Sequence, residues 1–291
     1  MIMLGFTFFS ASMWVGQQLA DGLDFWGFLG SLILGGIILG IYTGLLGYVG
    51  AKTGLSLDLL SQRAFGEKGS YLPSAMTSFT QIGWFGVGSF VSGGTATPNF
   101  ARFAKDGKAG AITTVVAFFI GNSLMFFFGA VSSIFVGGND IFEVMVRLNL
   151  FYLAVLVLGL NIWTTNDNAL YTAGLGLANI FHQRKKPMVL LSGIIGTVAS
   201  VWLYYNFCGW LNILNCTLPP VGMILVLAYF MNKEDFETDQ PKLKTVDWFA
   251  VAGVILGAIV ANLLHWGIAS INGMVVAAVC YCVGQAVNKR K

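Results

Sequence analysis

Charge is scarce in this sequence, and with it most of the chemistry that charge supports. Lys and Arg number 16 and Asp and Glu 13 among 291 residues, while 56% are hydrophobic. The mean hydropathy is +0.75. The first basic residue is Lys52, so the opening residues lack the positive region of a secretory signal. The short alternating segments of an outer-membrane barrel are absent. Histidine occurs twice, as His182 in a loop and His265 at a turn between spans. The stretch from Gly88 through Val91, Ser92 and Gly93 lacks the spacing of a nucleophile elbow, so no nucleophile, base and orienter can be assembled and an enzyme is excluded. The four cysteines, Cys208, Cys216, Cys280 and Cys282, fall in apolar runs. They read as small buried side chains rather than disulfides or metal ligands. The net charge of +3 does not indicate a nucleic-acid partner, because the basic residues lie between the apolar runs.

What is abundant is apolar length. Runs of about twenty residues recur along the chain, which makes it an all-α polytopic membrane protein whose partner is the lipid bilayer. A first span reaches about Ala20 and begins abruptly, as though shortened at its front. Within it Ser10-Ala11-Ser12, between Gly5 and Gly16-Gln17, is a small polar interruption of the kind that lets a helix unwind toward a cavity. The second span, Trp26 to Gly50, is uncharged, and its Gly36, Gly40 and Gly44 invite close approach of another helix. Further spans follow at Ala109–Val136 and in the run Leu148–Phe181. Pro187–Asn232 holds two more, turning near Asn206 to Gly209, and Trp248–Asn288 another two, turning near His265-Trp266-Gly267. Alternate loops are basic, as is the end Lys289-Arg290-Lys291, so these loops and the C-terminus are expected to face the cytoplasm across a bacterial inner membrane.

One segment breaks the pattern. Tyr71 to Phe103 has Lys68 before it and Arg102, Lys105 and Lys108 at its end, so both flanks are expected on one side. As a single helix it would be about 50 Å long, against a bilayer core of about 30 Å. The glycine-rich stretch Gly86 to Pro98 therefore reads as the apex of a re-entrant hairpin. The count is about eight spans and one hairpin.

The polar focus is Asn161-Ile162-Trp163-Thr164-Thr165-Asn166-Asp167-Asn168, in a run whose only charge is Asp167. On a helix Asn161, Thr164 and Thr165 share one face. A carbonyl and two hydroxyls there would supply part of the oxygen shell of a hard monovalent cation. The other reading is that these groups bond neighbouring helices, as Asn and Thr do in membranes.

Several stretches together carry a resemblance. They are Gly5-Phe6-Thr7-Phe8-Phe9-Ser10-Ala11-Ser12-Met13-Trp14, Gly47-Tyr48-Val49-Gly50-Ala51-Lys52-Thr53-Gly54-Leu55, Gln81-Ile82-Gly83-Trp84-Phe85-Gly86-Val87-Gly88, and Leu160-Asn161 through Tyr171. Over nearly the whole chain the sequence resembles the cytosine-transporting members of the nucleobase:cation symporter-1 (purine-cytosine permease) family. The resemblance implies the fold with two inverted five-helix repeats and broken first and sixth helices. It also implies uptake of cytosine coupled to sodium or to a proton, with no other cofactor and no obligate protein partner. The match jumps between Gly88 and Ser89, from the middle of the family's third helix to the middle of its sixth. Residues 1–291 would then be a single transporter domain without helices four, five and half of six, an incomplete version of the fold with impaired activity or none.

The resemblance further implies two sites. Trp84 and Phe90 would sandwich the flat base. Gln81, Ser89, Ser92 and Asn161, with Phe9 and Ser10 of the first helix, would meet its polar edge. Gly5, Phe8 and Asn161 would give carbonyls to the cation, and Thr164 and Thr165 hydroxyls. Apart from the resemblance, Trp84 and Phe90 read as membrane-core packing.

Overall fold

Lipid offers backbone groups no partner, so apolar runs of this length can cross it only as helices or closed barrels. Helix is what forms. The computed structural model describes residues 10–87, 96–138, 141–238, 241, 243–264 and 266–288, and among them there is no strand. The helices are α1 (Ser10–Gly22), α2 (Phe25–Thr53), α3 (Leu57–Phe65), α4 (Tyr71–Val87), α5 (Pro98–Ala101) and α6 (Gly107–Val115). A π-helical turn (Val116–Gly121) joins α6 to α7 (Asn122–Val136). There follow α8 (Ile141–Arg147), α9 (Phe151–Phe181), α10 (Lys185–Tyr205), α11 (Phe207–Met231), α12 (Lys233–Glu237), α13 (Trp248–Leu263) and α14 (Ala269–Asn288). Among the described residues five helical stretches are long and apolar enough to cross a membrane: Phe25–Thr53, Gly107–Val136, Lys185–Leu203, Gly209–Met231 and Ala269–Asn288.

Turn chemistry sets the boundaries where the sequence supplies it. Asp24 caps α2 by accepting from Gly27 N (3.1 Å), and Gly54, at φ 69°, ends it with an N–H to Gly50 O (2.9 Å). Asp106 caps α6 through Ala109 N (2.7 Å), and Asp247 caps α13 through Ala250 N (3.2 Å). Each such cap satisfies a donor the helix cannot pair internally. The polar interruption at Ser10 coincides with the first described turn of α1, which is continuous to Gly22.

The connections carrying Arg63, Lys68, Lys244 and His182 gather at one end of the molecule. Lys68 N donates to Thr245 O (2.9 Å), Arg63 to Asp235 O (2.6 Å), and the Tyr71 hydroxyl meets His182 (2.7 Å). A Cβ on Gly50 would come within 2.7 Å of Pro98, and Leu57 N donates to the Asn99 side chain (2.7 Å). The odd segment therefore leaves this end at Tyr71 and is back beside it at Pro98, as a hairpin requires. Its apex, residues 88–95, lies outside the described residues.

Packing follows small residues. A Cβ on Gly36 would press on the Phe119 ring at 2.9 Å, one on Gly44 would meet Val115 at 2.7 Å, and one on Gly47 would meet Gly110 O at 2.9 Å. The expected glycine face of α2 thus receives the helix running from α6 through the π turn. In the same way α1 lies against α7, where a Cβ on Gly16 or Gly129 would collide with the facing backbone. A second core, at the basic end, joins Leu46 and Val49 of α2, Leu57, Leu60 and Phe65 of α3, Ile224 and Tyr229 of α11, and Tyr281 of α14. Outward faces remain apolar, as lipid contact demands. One cysteine expectation is corrected: Cys216 is buried and Cys280 half-buried, but Cys282 is exposed. It stands on the lipid-facing side of α14, where a thiol costs little because it behaves as an apolar group. The Cys208 side chain and His265 lie outside the described residues.

Candidate functional site

The interior polar groups lie on helices that touch closely. The Ser78 hydroxyl of α4 donates to Ala173 O of α9 (3.1 Å), and a Cβ on Gly176 would come within 2.8 Å of Ser74 O. One turn further along α4, Gln81 is fully buried, and neither its amide oxygen nor its nitrogen has a hydrogen-bond partner. Burying such a group unpaired costs about 1–3 kcal/mol, so it marks an interior arranged for something other than packing. On the opposite face of α4 a Cβ on Gly83 would collide with the Trp210 ring of α11. Trp210 is buried, stacks edge-on with Phe79 at 4.4 Å between centroids, and its indole N–H also lacks a partner. On the α9-facing side of α4, Gln81 therefore offers an unpaired donor and an unpaired acceptor, the equipment for recognising the edge of a small heterocycle.

On α9 the structure bears on the cation face. Thr165 is buried, and its hydroxyl donates to Asn161 O at 3.0 Å. In that bond the hydroxyl is the donor and the Asn161 carbonyl, which also closes the helical turn, is the acceptor. Asn161 is half-buried. Asp167 does not join this face. It is exposed, whereas Thr165, Ala169 and Thr172 are buried, so the carboxylate points away from the oxygen cluster. The Ser78–Ala173 bond between antiparallel helices sets Gln81 level with Leu170, about 13 Å along the helix from Asn161. Among the described residues no three His, Cys, Asp or Glu side chains converge as a metal site.

The remaining residues implied by the resemblance fall outside what is described. Gly5, Phe8, Phe9, Ser89, Phe90 and Ser92 are outside altogether, as are the side chains of Ser10, Trp84 and Thr164. Three residues were missed in the sequence. Trp210 looked like one more membrane aromatic, and only its contacts with Phe79 and Gly83 show a buried indole N–H without a partner packed against α4, on the face away from Gln81. Gln17 of α1 and Asn122 of α7 are buried on the two facing helices, with both amide atoms unpartnered in each. Lone amides inside apolar runs were the available signal. An apolar hollow of about 370 Å³ at Met13, Phe128, Phe135, Val144 and Leu148 has almost no polar lining and does not suit a polar base.

Comparison with known proteins gives this arrangement a context. The profile of a family described as permease for cytosine/purines, uracil, thiamine, allantoin matches residues 1–95 and, as a second segment, residues 87–286. The cytosine permease of Escherichia coli K12 is 37% identical over 383 aligned positions, covering 100% of this chain and 91% of the relative. With 291 residues here, at least 92 of those positions have no counterpart in this chain. An allantoin permease of Bacillus subtilis 168 is 34% identical over 82 residues, 28% of this chain and 16% of its own. Among solved structures, the nucleobase-cation-symport-1 transporter Mhp1, closed with bromovinylhydantoin bound, superposes with a TM-score of 0.78 at 15% identity, covering 98% of this chain and 90% of that one. Its inward-facing form gives 0.52 at 16% identity, covering 99% and 82%. The helices, their order and their packing are those of that transporter fold in shortened form. The chain belongs to the family of permeases for cytosine/purines, uracil, thiamine and allantoin.

Proposed function

We propose that the chain is a shortened cytosine:cation symporter of the bacterial inner membrane, with its basic end and C-terminus in the cytoplasm. In this reading it retains the recognisable site residues but transports cytosine poorly or not at all. The single observation that carries the substrate assignment is the 37% identity with a cytosine permease along the entire chain. Cytosine would lie between the rings of Trp84 and Phe90. Gln81, Ser89, Ser92, Asn161 and the backbone at Phe9 and Ser10 would satisfy its edge. Sodium would bind the carbonyls of Gly5, Phe8 and Asn161 and the hydroxyls of Thr164 and Thr165. A proton is the alternative coupling ion.

The shortening is placed between Gly88 and Ser89 and removes family helices four, five and half of six. Its support is the break of the family match within residues 87–95 and the 92 unmatched positions. The exposure of Asp167, in the middle of a long helix that also exposes Leu153, Leu156 and Leu160, favours impaired transport. A carboxylate facing lipid is what a missing neighbour would leave behind. Alternating access also needs two bundles that rock apart, whereas here half of a scaffold helix is tied to half of a moving one.

Uptake of labelled cytosine by cells lacking their own permease tests both parts. The 291-residue chain should give little or no saturable uptake. The same chain with the missing helices restored from a full-length relative should give robust uptake. Strong uptake by the short chain would overturn the impairment. Failure of the restored chain would overturn the substrate assignment.

A further inference from the structure

The short helix α3 lies between the spans α2 and α4 and carries a buried acid that the transport site does not use. Asp58 is 6% exposed. Its Oδ1 accepts from the Ser74 hydroxyl of α4 at 2.6 Å. That serine is the end of a directed chain: Gln62 Nε2 donates to Asn179 Oδ1 (2.6 Å), and Asn179 Nδ2 donates to Ser74 (2.9 Å) and to Ser70 (3.1 Å). Gly176 of α9 closes the pocket, since a Cβ there would lie 3.5 Å from Asp58 Oδ1. Helix α3 is thus docked on α4 and α9 through one carboxyl group and one amide relay. On the same face one turn on, Ser61 is fully buried and its hydroxyl has no hydrogen-bond partner.

We infer that Asp58 is a proton-binding site that holds α3 docked against α4 and α9, so that acid at the basic end of the molecule seats this helix and alkali releases it. The direction follows from the surroundings. Burial raises the Asp58 pKa to about 6 from 3.8, and it outweighs the opposing effects of Ser74, its own backbone N–H and the more distant Arg102. An undocked, hydrated Asp58 would return to its ordinary value. The docked state therefore binds the proton more tightly and gains as pH falls through about 6 toward 4.

The other charged and titratable groups around Asp58 have their own engagements. Arg102 donates to the Tyr171 hydroxyl (2.7 Å), and Lys185 lies 4.3 Å over the Tyr171 ring. On α3 itself Arg63 holds Asp235 O, and on α4 Tyr71 holds His182. Beyond α3, Glu237 accepts from Tyr229 and Asp247 pairs with Lys244. Among these His182, bonded to Tyr71 at the end of α9, is the control.

The inference rests on the membrane-transporter reading only in taking the basic end as the cytoplasmic face, and its test measures conformation rather than uptake. Spin labels at Leu59 of α3 and Phe181 of α9, both exposed, report docking in the full chain reconstituted in phospholipid vesicles with its native cysteines replaced. Between pH 7.5 and 5.5 the ratio of the short-distance to the long-distance population should rise about four-fold. Asp58→Asn should hold the short distance at both values, and His182→Gln should leave the response intact. Ser74→Ala, which removes the bond favouring the charged form, should move the midpoint to higher pH even if Asp58→Asn does not fold. A distribution unchanged by pH, a response that survives Asp58→Asn, or an unmoved midpoint in Ser74→Ala would each overturn the inference.

Discussion

Gln81 and Thr165 are both buried polar residues, yet they predict opposite costs. The Gln81 amide has no protein partner, so its burial destabilises the empty protein. Gln81→Leu should therefore raise the thermal midpoint of the ligand-free chain, by the equivalent of about 1–3 kcal/mol, while abolishing cytosine binding. Differential scanning fluorimetry with and without cytosine reads both effects, and a lower midpoint would count against an arranged site. Thr165 already has its hydrogen bond to Asn161 O, so its contribution should appear through the ion. If the chain binds cytosine, sodium should tighten that binding. Thr165→Ala should then reduce the sodium dependence more than it reduces affinity without sodium. Because the two ligands are linked, cytosine must tighten sodium binding by the same factor. Affinity that follows pH and ignores sodium would assign coupling to a proton instead.

Among elements, the segment from Tyr71 to Phe103 makes the sharpest statement. Lys68 and Lys108 flank it, and the structure gathers both ends with the other basic loops. Single cysteines at Lys68 and Lys108 should both react with a membrane-impermeant maleimide from the same face of the membrane. Reaction from opposite faces would mean that the segment crosses once. The long spans were legible in the sequence because lipid forces apolar runs of that length into helices. The glycine face of α2 was legible because spacing four residues apart is itself a surface. The helices α3, α8 and α12 were not, since five to nine mixed residues have no period long enough to separate helix from loop. Trp84 and Phe90 were legible as site residues only through resemblance, because an aromatic in a membrane core otherwise reads as packing.

For the whole molecule, the decisive quantity is what the segment proposed as missing, helices four, five and half of six, would contribute if it were restored. Polar groups such as Gln81 already lack partners, and α9 turns Asp167 outward. Leaving each such group without a wall costs on the order of a kcal/mol or more in lipid. Restoring the missing helices between Gly88 and Ser89 should therefore increase the folded, monodisperse yield as well as uptake. Size-exclusion profiles of the two chains in one detergent would reveal this, and equal yields would show that the short fold is self-sufficient. Because both ends of the junction segment return to the same end, the insertion needs no change in the orientation of any later span.

The π-helical turn at Val116–Gly121 bears on how α1 and α2 share one partner. A π turn amounts to a single inserted residue in an otherwise α-helical rod. It advances everything after it by about 100° of rotational phase. Upstream, Gly110 and Thr114 address α2. Downstream, Phe126 and Gly129 address α1. Removing one residue from this turn would leave a regular helix of nearly the same length and composition, with its second half dialled away from α1.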